Sequence, residues 1–552
     1  KLDGDILVNG RKRDDISFRR ISAYVLQDDR LYPHLTVYET LTLAAHFFLP
    51  SEITEKEKME NVDRIILELN LATAKDTIIG DEKVRGVSGG ERKRANIAVQ
   101  LISNPKVLFM DEPTSGLDSF QAQSVMEAMK SVAKNGRLVI SVVHQPRSSI
   151  FKMFDELLLL SRGRTMYFGK ANAAAKHFEI ATGTLIPPLF NPADFYLDIL
   201  SPDFRSIEQE KNTLDRIDML GNIWEKDESK LLNDMIVNIK YNQNELVPDV
   251  PSCSEKFDSV RLVRNFKLLC WRAFAEQSRE IPTLIIKFSI TTIVALIIGG
   301  IFQDVGYNQA DIQNRVGLLF VISINQGFNA LSGVLNVFPK EKTIVNRERA
   351  ANAYDTLSYF IAKYMVEMPI NISPCIIFGT IVYWIVGLNP DRFGYFLLIL
   401  ILEACTAVSL GLFISALAPN VEMAQNLGPL PLIISLIFGG FFVNLGSLPA
   451  VAEIFPYLSF VKWVFQALAI NEFTDVNFKC DITPATLCTT NGKEILERFT
   501  FNETLGESVF GLAMLFVGFT VIAFIALDRN YTTYTEQGFV GKKYITDAET
   551  KK

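Results

Sequence analysis

Three short stretches of this 552-residue chain carry side chains suited to handling phosphate. "GVSGGERKRANIA", Gly86 to Ala98, sets Ser88, Gly89 and Gly90 ahead of a helical pattern that includes Glu91. A serine and two glycines at a helix N-terminus leave backbone amides free to cradle an anion. "VLFMDEP" is an apolar strand pattern ending in Asp111 and Glu112. At such a tip one carboxylate can hold Mg²⁺ through water while the next polarises an attacking water, the arrangement phosphoryl transfer requires. A lone Asp-Glu pair reads first as a helix cap, but its neighbours change that reading. "SGLDS" brings Asp118, the strand pattern "LVISVVH" ends in His144, and "YVLQDD" presents Gln27, an amide able to reach a metal-bound water. His144 is placed to contact a terminal phosphate.

These residues need a scaffold. Between Lys1 and about Leu200, strand patterns such as "VLFMD" and "LVISVVH" are separated by the helical "SFQAQSVMEAMKSVAKNG", which Gly136 ends. This is βαβ grammar and predicts a mainly parallel sheet with ligands at the strands' carboxyl ends. Residues 201–258 are polar and weakly periodic, and read as a cytosolic linker with some helix. An apolar content of 49% and mean hydropathy of +0.19 beside 21% charged residues suit a soluble part joined to a membrane part. With a net charge of -7 and no basic tract, no nucleic-acid partner is expected. The opening residues show neither a signal peptide nor an initiator methionine, so the sequence is expected to start within a longer protein.

The second half is written for a bilayer. "VRLVRNFKLLCWRAFAEQSR", within 259–280, has helical apolar spacing among its basic residues and is expected to lie in the cytosolic interface as a connecting helix. Six spans are predicted at about 282–303, 316–338, 357–386, 393–417, 424–444 and 507–528, within a membrane domain of 281–530. Pro369 and Pro374 predict a kink or an interfacial turn in the third. The loop with Lys340, Lys342, Arg347 and Arg349, and the tail 531–552, are cytosolic by the positive-inside rule. The apolar but proline-broken stretch before Phe473 reads as a re-entrant hairpin. A non-cytosolic loop at about 474–506 holds Cys480 and Cys488, read as a disulfide, and the glycosylation sequon at Asn502. The sequon at Asn530 falls on the cytosolic side and is expected to stay unmodified. Cys375 and Cys405 read as packing residues.

Taken in order, Gln27, "VSGGERKR", Asp111 with Glu112, Asp118 and His144 resemble the motifs of the ATP-binding cassette (ABC) transporters. The phrases "HQPRSSIF", "NPADFYLDIL" and "NRERAANAY", with the cassette ahead of the spans, are similar to the White-like G subfamily of half-transporters over essentially the whole chain. The resemblance implies an α/β nucleotide-binding domain (ABC ATPase) at 1–200 followed by an all-α six-helix transmembrane domain. It implies ATP and Mg²⁺ as cofactors, with Gln27, Glu112 and His144 catalytic and Asp111 with Gln27 at the metal. Ser88, Gly89, Gly90, Glu91 and Asp118 would bind nucleotide across a dimer. "NQGFNALS" implies a substrate cavity lined by Asn325 and Phe328, with Ile433 and Leu436 opposite, and "GGFFVNL" implies a fifth-span gate at Phe441 and Phe442. Glu348 is implied to partner the connecting helix in coupling.

One family feature is missing. No G-x-x-x-x-G-K-[ST] phosphate loop occurs in the chain: Gly169-Lys170, Gly492-Lys493 and Gly541-Lys542 are followed by Ala, Glu and Lys. The loop is therefore expected upstream of Lys1. The expected function is an ATP-driven half-transporter that pairs with a second half-transporter in the bilayer, most commonly the plasma membrane. It would export a lipophilic or amphipathic small molecule such as a sterol, lipid, pigment precursor or xenobiotic. The alternative is a catalytically silent regulatory subunit of a heterodimer.

Overall fold

The computed structural model describes residues 6–8, 11–81, 84–187, 190–241, 259–351, 353–480, 488–501 and 503–530. Asn502 and the tail 531–552 lie outside the described residues. The chain forms two compact units, Lys1–Phe257 and Asp258–Lys552.

In the first unit β1 (Leu7–Val8) and β2 (Arg11–Lys12) pair antiparallel. β3 (Ser22–Val25), β4 (Val107–Asp111) and β5 (Leu138–Val142) form a parallel sheet in the order β3-β4-β5. Its register sets Ser22 opposite Val107 and Asp111 opposite Val142, so the phosphate-handling residues follow the same edge. Val25, Leu108 and Met110 point into a core with Leu41, Ile65, Ile97 and Val125, whereas Tyr24, Leu138, Ile140 and Val142 on the other face are exposed. β6 (Glu156–Ser161) and β7 (Arg164–Lys170) close a hairpin through Arg162 and Gly163 at φ 50° and 77°, the left-handed pair of a type I′ turn. Helix starts were written locally: Thr36/Glu39, Thr54/Glu57, Ser88/Glu91 and Thr504/Glu507 all form capping boxes.

The linker expected at 201–258 differs from the structure. Residues Ile207–Tyr241 are one 35-residue helix, and Ile217, Leu220 and Trp224, spaced 3 and 4 apart, are buried against Tyr167, Phe178 and Tyr196. Its first half is part of the first unit's own core, because three large apolar side chains on one helical face outweigh a polar average.

In the second unit the amphipathic helix Ser259–Arg279 precedes five helices long and apolar enough to cross a membrane. These are Ile281–Ile301 (first span), Gln309–Ala350 (second), Thr356–Val386 (third), Pro390–Leu417 (fourth) and Leu505–Arg529 (last). The second does not end at 338. It continues through Pro339 for 42 residues, about 63 Å at 1.5 Å per residue against a hydrocarbon core of about 30 Å. The predicted charged loop is thus a helical extension. Two of its cations are buried at other helix ends: Lys342 donates to the carbonyls of Ala416 and Ala418, and Arg349 to that of Leu527. Positive side chains there meet the unpaired carbonyls and negative dipole end of a helix. Pro369 and Pro374 lie within the unbroken third span.

The fifth predicted span is a shorter apolar stretch, Val421–Ile437, divided at Gly428 into helices Val421–Leu427 and Pro429–Ile437. It stops before Phe441 and Phe442, which lie in a turn where Gly440 takes φ 85°. Of the stretch expected to form a re-entrant hairpin, Phe460–Phe473 is a helix buried along all 14 residues.

Candidate nucleotide and transport sites

At the carboxyl edge of the parallel sheet, Glu112 takes a left-handed φ of 43° just after β4, and its amide donates to Val142 O at 3.0 Å. A non-glycine residue held there is strained, a conformation that clusters at functional sites. The turn aims its carboxylate at the end of β3, where Gln27 Nε2 donates to Glu112 Oε2 at 2.7 Å. Tyr24 OH donates to Asp111 Oδ2 at 3.2 Å. Gln27, Asp111 and Glu112 are therefore one cluster drawn from two strands. His144 is exposed two residues beyond β5, next to Gln145 at φ 41°, a second left-handed corner.

Oxygen donors of this kind suit Mg²⁺, which keeps several waters and takes one or two carboxylates together with substrate phosphates. Among the described residues no group of three or more His, Cys, Asp or Glu could enclose a metal. The fit is thus to a cation completed by phosphate and water, with Asp111 and Gln27 as the protein's share.

Ser88 caps the helix Gly89–Leu101, and the chain enters it through a capping box with Glu91. Gly90 N donates to Gln121 Oε1 at 3.1 Å, and an added Cβ at Gly90 would sit 3.1 Å from the Gln121 side chain. Asp118 caps the following helix Ser119–Lys134, accepting from the amides of Phe120 and Gln121. The two helix starts are therefore fastened to each other. The sequence reading missed Lys93. It belongs to a charged run, yet it is 2% exposed, donates to Gln27 O at 2.7 Å and pairs with Asp29 at 2.9 Å. Its place one turn into the helix was the only available signal.

In the membrane unit Phe328 and Asn329 are exposed on the second span, Phe328 at 51%, and Asn325, one turn away, is partly buried. Ile433 is exposed and Leu436 partly buried on Pro429–Ile437. Phe441 stacks on Phe320 at 4.3 Å between ring centroids, and Phe442 meets Phe320 edge-on at 5.3 Å. The aromatic group extends through Phe465 to Phe499 and Phe501. The implied gate is therefore a turn pinned to a multi-helix aromatic cluster rather than a pair on a span helix; the glycines Gly439 and Gly440 end the helix first.

Glu348, near the C-terminal end of the helix Gln309–Ala350, accepts from Arg272 Nη1 of the amphipathic helix at 2.8 and 3.0 Å. Tyr354 donates to the same carboxylate and accepts from Arg272 Nη2 at 3.1 Å. Burial, reinforced by the neighbouring Glu348 charge, pushes the Tyr354 phenol well above its ordinary pKa, which keeps it a donor. Cys480 and Cys488 are joined as a disulfide with Cα atoms 5.5 Å apart.

Comparison with known proteins matches three family descriptions: "ABC transporter" over residues 1–115, and "ABC-2 type transporter" over 264–473 and, as a separate family, over 144–245. Among curated proteins, the chain is 35% identical over 537 residues to ABC transporter G family member 7 of Arabidopsis thaliana, covering 97% of this chain and 73% of the relative. It is 35% identical over 554 residues to the Broad substrate specificity ATP-binding cassette transporter ABCG2 of Bos taurus, covering 95% and 84%. It is 34% identical over 529 residues to Protein white of Drosophila melanogaster, covering 94% and 76%.

Proposed function

The chain belongs to the ABC transporter G family of ATP-hydrolysing membrane transporters, and from that premise we propose that it is a half-transporter moving a lipophilic or amphipathic small molecule outward after pairing with a second half-transporter. One observation carries the reading: a single chain joins the Gln27–Asp111–Glu112 cluster to a unit with bilayer-length apolar helices.

In this reading, Glu112 polarises the attacking water, with Gln27 holding its carboxylate in place. Asp111 and Gln27 would hold Mg²⁺, which would neutralise charge on the phosphates. His144 contacts the terminal phosphate. Ser88, Gly89 and Gly90, with Glu91 and Asp118 at the same pair of helix starts, meet the nucleotide of the opposing cassette, which draws the Ser88 and Gly90 amides from their present acceptors, Glu91 and Gln121. Closure of the cassettes reaches the spans through Arg272, Glu348 and Tyr354. The cavity is bordered by Asn325, Phe328, Ile433 and Leu436, and Phe441 with Phe442 obstruct its exit. Nucleotide binding thereby shifts the spans between two arrangements by its differential affinity for them. The termini face the cytosol, the disulfide loop faces away from it, and the plasma membrane is the proposed site.

A second reading is a catalytically silent subunit, for which a partner would supply the G-x-x-x-x-G-K-[ST] loop. Uptake of a lipophilic fluorescent dye into inside-out vesicles bearing the chain tests both. ATP-dependent uptake that a non-hydrolysable analogue cannot support is expected for a pump. Uptake that appears only on co-expression with a family member carrying the loop supports the silent subunit. No ATP-dependent uptake in either preparation would overturn both.

A further inference from the structure

Glu403 lies near the middle of the fourth span and is 0% exposed. No cation and no side-chain donor among the described residues reaches either carboxyl oxygen; only the backbone of Gly327 lies beside them. Among the described residues of the membrane unit, three acidic side chains are fully buried, and the other two have cations: Glu367 pairs with Lys363 at 2.9 Å, and Glu472 pairs with Arg315. The basic side chain Lys287 is occupied by Asn371 at 2.8 Å, and Lys462 by Glu503 at 3.0 Å. Glu403 is the one of the three buried acids without a cation.

Its surroundings are shaped around it. The carboxyl faces Gly327 of the second span, one residue from Phe328. A Cβ built on Gly327 would lie 3.2 Å from Glu403 Oε1 and 2.7 Å from the ring of Phe460. The missing side chain brings carboxyl and aromatic ring together against bare backbone, whose amide belongs to the helical ladder. A carboxyl and an aromatic face are the two groups that best receive an ammonium in an apolar setting. Unpartnered polar atoms inside a membrane unit call for an explanation outside ordinary packing.

We propose that Glu403, with Phe460 and the bare backbone of Gly327, is a binding site for an ammonium group of the transported molecule. The inference rests on the transport reading and narrows its substrate class to lipophilic amines. The apolar body of the amine rests on the Phe328 side of the second span, and its nitrogen reaches Glu403 as that span and the helix Phe460–Phe473 part.

Equilibrium binding of dansylcadaverine, a lipophilic primary amine, and of its uncharged N-acetyl derivative to the chain in nanodiscs tests this by dansyl fluorescence without ATP. The expected result is tighter binding of the amine, lost by about tenfold or more in E403Q, while the N-acetyl form binds both proteins alike. E403L should do the same, and E403D should keep part of the preference. Unfolding curves of each variant identify loss of fold; a misfolded Leu variant leaves the Gln and Asp variants to decide. No preference for the amine in the unsubstituted chain, or the same preference in E403Q, overturns the proposal. Failure of transport itself shows separately, as amine binding with no ATP-dependent uptake.

Discussion

The edge of the parallel sheet and the interior of the membrane unit use acidic residues in opposite ways. Asp111 and Glu112 stand partly exposed at strand ends, held by neutral donors from Tyr24 and Gln27. Glu367 and Glu472 are fully buried and held by Lys363 and Arg315. Water supplies solvation at the sheet edge, so a carboxylate there can await a cation and phosphate. In the membrane an unpaired charge has no such reserve, and each buried acid must bring its own partner or be completed by something else. The contrast separates groups that act from groups that hold.

Glu112→Gln tests the acting side most sharply. It should keep nucleotide binding and lower ATP turnover by about 10²- to 10⁴-fold, with an unchanged unfolding temperature. Sustained hydrolysis in a co-assembled transporter whose cassettes all carry this change would remove Glu112 as the catalytic group. On the holding side, Arg315→Met strands Glu472 without its cation and should cost about 3–5 kcal/mol in stability. Adding Glu472→Met should recover most of it. A loss that persists in the double variant would mean that the carbonyls of Val305 and Gly306, which also accept from Arg315, matter more than the pair.

Phe441→Ala with Phe442→Ala falls between the two classes. The lost ring contacts should cost about 1–2 kcal/mol, and dye transport should change by more than that loss of folded protein explains. Unchanged transport would make the rings ordinary packing. The smallest effect is expected for Ser88→Ala, about 1 kcal/mol from the helix cap. If the hydroxyl also meets phosphate, ATP-driven transport will fall further than the cap alone accounts for; equal falls would make Ser88 a cap and nothing more.

Much of the cassette was legible because its chemistry is local. A serine, two glycines and Glu91 specify a helix start within four residues, and an apolar strand ending in two carboxylates places them at a sheet edge by its own period. The spans at Ile281, Thr356 and Leu505 followed from composition alone, since a bilayer demands about 20 apolar residues in a row. The extension of the second span past Pro339 was hidden by its polar composition, which hydropathy cannot tell from a loop.

What only the tertiary structure decided was pairing. Arg315 meets Glu472 across 157 positions, Arg272 meets Glu348 across 76, and Lys93 leaves a charged run to hold Gln27 across 66. The same is true of the aromatic cluster that fixes Phe441 and of the solitary Glu403. Sequence spacing reports which face of a helix or strand a residue occupies, because those periods are set by the backbone nearby. Which charge ends beside which depends on how separate elements pack, and a local pattern carries no record of that.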